Sequence, residues 1–207
     1  VVVRIESLDG TEYVSKNQIL STISGGRPDL LTGSPIRTFD LNQLEALLRE
    51  NLWIRNAELF FDNNDVLHVE VEERQPVARV FASGGETFYV DDANAMLPVS
   101  TEQVARVPVF TGFPVLTYPL KGKDSVLLVQ VGELGASLLK DPFWMAQVDQ
   151  VHINNYEFEL VPKLGQHLIL FGSAEQAPQK LERLLLFYRQ VLKKTGWNFY
   201  STLDVRF

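Results

Sequence analysis

Residues 66–80 read VLHVEVEERQPVARV, and the fold turns on how that stretch is parsed. Leu67, Val69 and Val71 alternate with His68, Glu70 and Glu72. Successive side chains of a strand point to opposite faces, so the three apolar residues share one face of a half-buried strand. The alternation breaks at Glu73-Arg74-Gln75-Pro76. Proline lacks an N–H and confines the residue before it to extended conformations, which argues against a sheet interior here. Val77, Ala78, Val80 and Phe81 then open a second apolar run. The stretch reads as the end of one domain, an extended polar joint and the start of another.

Upstream of the joint, Val1, Val3 and Ile5 alternate with Val2, Arg4 and Glu6 as a first strand, and Asp9-Gly10 is a turn signal. Ser15 is placed to cap a short helix carrying Ile19, Leu20 and Ile23, which Gly25-Gly26 ends. Residues 27–37, with two prolines and a glycine, read as loop. Asp40 or Thr38 caps the next helix, with Leu41, Leu44, Leu47 and Leu48 inward and Glu45, Arg49 and Glu50 outward. A strand through Ala57, Leu59 and Phe61 follows Trp53-Ile54, then the tight-turn tetrad Asp62-Asn63-Asn64-Asp65. The order is strand, helix, helix, strand, strand, and two helices on a three-stranded sheet let so small a unit bury a core.

Downstream, 77–82 and 87–90 flank the turn Gly84-Gly85, and Asp91-Asp92-Ala93-Asn94 turns into Met96-Leu97-Pro98. After 107–112, Pro114 and Pro119 keep 113–120 irregular. A helix is predicted over 124–140, stopped at Asp141-Pro142, followed by strands at 148–153, 156–161 and 167–171. A second helix spans 176–194, with Leu181, Leu184, Leu185, Tyr188 and Leu192 in one stripe and Lys193-Lys194 at its negative end. Gly196 stops it, and 198–207 form a last strand. The fold class is α+β, with domains at 1–74 and 77–207.

Bulk properties exclude several classes. Of 207 residues 45% are apolar, enough for packed cores. A net charge of −7 argues against nucleic acid or anionic lipid as the main partner. With no cysteine, thiol catalysis, disulfides and Cys-ligated zinc are out. The longest apolar runs, such as 126–129 and 184–187, fall far short of the roughly 20 residues that span a bilayer. The start at Val1-Val2-Val3 suggests an excised fragment, so any membrane anchor would lie upstream.

Several segments together resemble the FtsQ/DivIB cell-division family. The strand running into Glu-Arg-Gln-Pro-Val-Ala resembles the joint between that family's POTRA domain and its β-rich domain. Trp53-Ile54-Arg55-Asn56-Ala57 resembles the approach to the POTRA hairpin, although the turn here is Asp-Asn-Asn-Asp where family members usually carry a proline. Tyr89-Val90-Asp91 and Val107-Pro108-Val109-Phe110-Thr111-Gly112 resemble short segments of the β domain. Most specific are Lys180-Leu181-Glu182-Arg183, similar to a Lys-Leu-x-Arg pattern in a long helix, and Leu203-Asp204-Val205-Arg206-Phe207, similar to the Val-Asp-Leu-Arg-Tyr that follows it.

Residue chemistry offers little to a catalyst. His68, His152 and His167 are widely separated and form no ligand-spaced pair. Asp91-Asp92 is the best carboxylate pair, but its place between two strands favours a turn. Glu70, Glu72 and Glu73 read as a solvated strand face. Ser21, Ser24 and Ser34 lie near glycines without a GxSxG, and Gly84-Gly85 lacks a phosphate-loop context. Trp53, Trp144 and Trp197 read as core or element-end anchors. What remains is binding through surface and strand edge.

The resemblance implies a non-enzymatic division scaffold, without a cofactor, metal or nucleic acid. It implies a periplasmic fragment, held to the inner membrane by a single upstream helix. Its partners in the divisome at the septum would be FtsB- and FtsL-like proteins, with other septal proteins contacting the POTRA domain. Tyr200, Arg206 and Phe207 are the candidate partner-binding residues, at the edge that a last strand would offer. Phe207 matches the family's aromatic but lacks its hydroxyl, and the family's final strand is expected to be truncated. The competing reading has Phe207 packed into its own domain and the edge covered by residues that this sequence does not include. Two other classes stay open: a POTRA-bearing transport or outer-membrane assembly component, and an enzyme whose His or carboxylate site assembles only in space.

Overall fold

The joint separates two sheets. The computed structural model describes residues 1–7, 10–27, 31, 35–100 and 103–207. Asp9 of the expected first turn, and 28–30 and 32–34 of the expected loop (Ser34 among them), lie outside the described residues. The chain forms two compact units, one of Val1–Gln75 with Ser100–Ala105, the other of Pro76–Val99 with Arg106–Phe207.

The first unit runs β1 (Val2–Glu6), α1 (Lys16–Ser24), a 3₁₀ turn (Ile36–Thr38), α2 (Leu41–Arg49), β2 (Ile54–Phe61) and β3 (Leu67–Glu73). Its sheet has the order β1-β3-β2, with β1 parallel and β2 antiparallel to the central β3. The alternation read from the sequence holds, since Leu67, Val69 and Val71 are all buried. Ser15 and Gln18 form a reciprocal capping box at α1, and Gly25 closes that helix at φ +59, where a residue with a Cβ is disfavoured. Asp40 caps α2 by accepting from the Gln43 amide at 3.1 Å, whereas Thr38 falls inside the 3₁₀ turn. Asp62 Oδ1 accepts from the amides of Asn64 and Val66, both at 2.9 Å, which locks the hairpin turn.

Three expectations for this unit are corrected. Glu73 is not on a solvated face: it is 6% exposed and its Oε1 accepts from the amides of Tyr13 (2.8 Å) and Val14 (2.6 Å). Glu45 does not point away, because its Oε1 accepts from the Leu59 amide at 2.9 Å. Leu47 is exposed, and of the α2 leucines only Leu48 is buried, with Leu41 and Leu44 half-buried.

The second unit runs β4 (Pro76–Ala82), β5 (Thr87–Asp91), β6 (Met96–Pro98), β7 (Val109–Phe113), α3 (Lys123–Leu139), α4 (Pro142–Gln147), β8 (Val148–Asn154), β9 (Glu157–Pro162) and β10 (Leu168–Gly172). It ends with α5 (Ala177–Phe187), a π-helical turn (Tyr188–Leu192), α6 (Lys193–Thr195) and β11 (Thr202–Asp204). The sheet order is β11-β10-β9-β8-β7-β4-β5-β6. The sheet is mixed and mostly antiparallel, with parallel pairings at β11/β10, β8/β7 and β7/β4. Pro76 is the first residue of a strand flanked on both sides, a position where its missing N–H costs least. Core-facing Val80, Phe110, Val151, Leu160 and Ile169 pack with Leu127, Val131, Leu134 and Leu138 of α3 and Leu181 and Leu184 of α5.

Here too the chain departs from its expected elements. Asp141-Pro142 does not merely stop α3: Asp141 accepts from the Phe143 amide at 2.9 Å and caps α4, with Pro142 at its first position. The long C-terminal helix changes to π geometry at Tyr188. His167 precedes β10 instead of lying within it, and the last strand is only Thr202–Asp204.

Candidate functional site

Gly196 ends the C-terminal helix at φ +94, and the chain returns along the outside of β10. Leu168, Ile169 and Leu170 pair with Thr202, Leu203 and Asp204. The Leu168 amide donates to the Ser201 carbonyl and the Val205 amide to the Leu170 carbonyl, both at 3.0 Å. Leu203 inserts into the core while Thr202 and Asp204 face outward. Among the described residues β11 is one of the two edge strands of its sheet, β6 being the other.

Asp204 is the last paired residue of β11. Its Oδ1 accepts from the Arg206 amide at 3.1 Å, one residue past the Val205 amide that donates to the Leu170 carbonyl. The same carboxylate takes the Arg206 guanidinium in a fork, with Nε at 3.0 Å from Oδ1 and Nη2 at 2.7 Å from Oδ2. Arg206 Nη1 also lies 3.7 Å from Glu157 at the start of β9. The hydrogen bonds from Arg206 hold the Asp204 carboxyl below the usual range, and the Asp204 carboxylate raises the guanidinium in turn. Arg206 lies across Gly172, where a Cβ would come 3.0 Å from its Cγ. The result is a guanidinium of fixed direction beside Phe207, whose side chain is 86% exposed.

The family model for "FtsQ/DivIB, C-terminal related" matches residues 75–207, which includes this edge and the helix behind it. The chain belongs to that family. It is also 26% identical over 178 residues to the cell division protein FtsQ of Rhodothermus marinus, a match covering 82% of this chain and 64% of that relative's length.

Of the three residues expected at an FtsQ/DivIB edge, Arg206 and Phe207 are consecutive and exposed. Tyr200 is half-buried on the approach to β11, its ring 5.3 Å from Phe187 and 5.0 Å from Phe199. Phe207 is not packed into its own domain. Sequence reasoning passed over Phe199, which is 69% exposed, and treated Trp197 only as an anchor. The available signal was the spacing of Trp197 and Phe199 on a non-helical segment just past a helix stop.

The three histidines have partners within their own units. His68 Nε2 sits 3.1 Å from Asp62 Oδ2, His152 Nδ1 3.2 Å from the Thr111 hydroxyl, and His167 Nε2 2.6 Å from the Tyr188 hydroxyl. Among the described residues no three His, Asp or Glu gather in a metal-holding group. Asp91, the last residue of β5, organises the turn that follows, its Oδ1 accepting from the Ala93 and Ala95 amides. A groove of about 440 Å³ lined by Gly122, Lys123, Val126, Leu127, Gln130 and Tyr156 contains neither histidine nor carboxylate. Among the described residues no helix is long and apolar enough to cross a membrane.

Lys180 of the Lys-Leu-x-Arg stretch is a structural residue here. It is 5% exposed, and its ammonium donates to the carbonyls of Phe171 (3.1 Å) and Ser173 (3.0 Å) at the end of β10. Burial lowers its pKa below the ordinary lysine value. The helix motif thus holds the strand on which β11 forms, so the two C-terminal motifs meet at β10.

Proposed function

We propose that this chain is the extracytoplasmic part of a division scaffold of the FtsQ/DivIB type, and that it binds FtsB- and FtsL-like partners by strand addition at β11. The observation that carries this reading is an outermost strand followed at once by an oriented Arg206 and an 86% exposed Phe207. An edge strand offers backbone donors and acceptors for which another chain supplies the complement, and flanking side chains set which chain fits. Arg206, with Phe207, would grip an acidic or aromatic position of the added strand, and Tyr200 would support the entry.

In this reading residues 1–74 are a POTRA domain that contacts other septal proteins, and 77–207 form the β domain. Its strand–helix–helix–strand–strand order and β1-β3-β2 sheet are the features that favour this assignment. The scaffold is held at the inner membrane by an upstream helix, faces the periplasm, and performs no reaction.

The test is amide hydrogen exchange on the protein with its native C-terminus, with and without the soluble parts of the FtsB- and FtsL-like pair. New protection concentrated at 198–207 and beyond is the expected result. Binding that protects only residues elsewhere would reject the edge as the site.

A further inference from the structure

We infer that the outer face of α5 and α6 is a second docking surface, fitted to an acidic segment of the polypeptide that binds at β11. The inference rests on the reading of β11 as a partner edge and adds the chemistry of the segment flanking the added strand.

The first observation is a local reversal of charge. Residues 177–196 hold five Lys or Arg against one Asp or Glu, while the rest of the chain holds fourteen against twenty-five. Lys180 is buried and engaged with backbone carbonyls. Arg183, Arg189, Lys193 and Lys194 are exposed, and none has an ion pair among the described residues. Lys193 and Lys194 suit a helix C-terminus, but Arg183 and Arg189 lie well before it. A solvated helix face ordinarily interleaves both signs three or four residues apart. Here no acid stands at those spacings from any of the four, and Arg189 and Lys193 are like charges four apart. Such a stripe is relieved by an anionic partner.

The second observation is continuity with the edge. The ring of Phe187 on α5 meets Tyr200, and Tyr200 meets the exposed Phe199, on the segment that leads into β11. These ring contacts put the Phe187 side of α5, one turn from Arg183, next to the segment that leads into β11, within reach of the flank of a chain added there. Arg and exposed aromatic residues are the side chains enriched at protein interfaces.

A lipid surface fits less well. An interfacial helix lays a free apolar face into the bilayer. The apolar stripe of this helix, Leu181, Leu184, Tyr188 and Leu192, is already buried in the core, and what faces outward is cationic with Leu186 among it.

The test measures binding of the soluble FtsB- and FtsL-like pair to the full chain. It compares wild type, a reversal variant (Arg183→Glu, Arg189→Glu, Lys193→Glu, Lys194→Glu), the same four positions as Gln, and Phe207→Ala as the edge control. Far-UV circular dichroism and urea midpoints confirm folding. At low salt the reversal is expected to weaken binding by about tenfold or more, and the Gln variant by less, with both losses shrinking to within about threefold at high salt. Phe207→Ala is expected to weaken binding at either salt concentration. Loss with Phe207→Ala but none with reversal overturns this inference and leaves the edge standing. No binding of the pair to wild type removes the edge reading and this inference with it. Cation-dependent binding to phosphatidylglycerol vesicles, with charge-independent binding of the pair, assigns the face to lipid and also overturns the inference.

Discussion

Lys180 Nζ donates to the Phe171 carbonyl at 3.1 Å and lies over the Phe171 ring at 5.1 Å, so one buried cation closes the end of β10. The ladder between β9 and β10 shifts register between Leu170 and Gly172, and Gly172 has φ +74. The ammonium supplies the donors that the Phe171 and Ser173 carbonyls take at this irregular strand end. Lys180→Met keeps the bulk but leaves both carbonyls without that donor, at a cost of about 2 kcal/mol. Urea denaturation should show the lower midpoint, and hydrogen exchange should show faster opening of β10 and β11. An unchanged midpoint would mean the contact is dispensable.

His167 and Tyr188 predict a pH dependence. Both are buried, with His167 Nε2 2.6 Å from the Tyr188 hydroxyl. Burial lowers the His167 pKa, opposed in part by the Trp197 backbone, and burial pushes the Tyr188 phenol up to about 12. A histidine whose folded pKa lies below its unfolded value binds more protons in the unfolded chain. Its contribution is therefore complete above the unfolded pKa of about 6.5 and declines as pH falls toward the folded value. The stability difference between wild type and His167→Gln should shrink between pH 7.5 and 5.5, measured as urea midpoints. A difference constant across that range would refute the assignment.

Periodicity and capping chemistry made most elements legible. Alternation at Leu67, Val69 and Val71, the cap at Ser15 and the turn at Asp62 are local signals, and the folded chain uses them as read. The departures come from contacts distant in sequence or from ambiguous punctuation. Glu73 is buried by amides 59 and 60 residues away, which no local pattern announces. Asp141-Pro142 suits a helix stop and a helix start equally well, since proline is favoured at a first helical position. The stripe Leu181, Leu184, Tyr188, Leu192 fits an unbroken α-helix, so the π turn leaves no trace in it. In the sequence the edge position of the last strand is only a condition, because chain order does not fix sheet order (β4, first in its unit, lies between β7 and β5), and exposure of Phe207 runs against the ordinary fate of a phenylalanine.

Glu73 gives a test of that distant contact. Glu73→Ala leaves the Tyr13 and Val14 amides without their acceptor, next to the Tyr13–Trp53 stack at 4.5 Å. The expected loss is about 2 kcal/mol, because burying an unpaired donor costs more than a typical hydrogen bond contributes. Glu73→Gln keeps an acceptor oxygen and should lose less than half as much. Equal losses would mean that the carboxylate charge, and not the pair of amide bonds, is what matters. Urea midpoints of both variants, with hydrogen exchange of the Tyr13 and Val14 amides, read the effect at the affected site.

Gly135 and Gly132 on α3 allow a paired prediction in which the usual sign reverses. Replacing a helical glycine by alanine ordinarily stabilises by roughly 1 kcal/mol. At Gly135 a Cβ would lie 2.6 Å from the Val77 carbonyl oxygen and 3.1 Å from the Ala78 Cβ, both on β4. Backbone of a strand flanked on both sides has little room to yield, so α3 must lift from the sheet. Gly135→Ala should destabilise by about 2 kcal/mol net of its helix preference. At Gly132 the nearest atom belongs to the Asn94 side chain, whose Oδ1 can swing away. Gly132→Ala should therefore cost well under 1 kcal/mol, or stabilise. Urea midpoints of the two variants decide the matter: if Gly132→Ala is the worse, the closest approach of helix to sheet is not at Gly135.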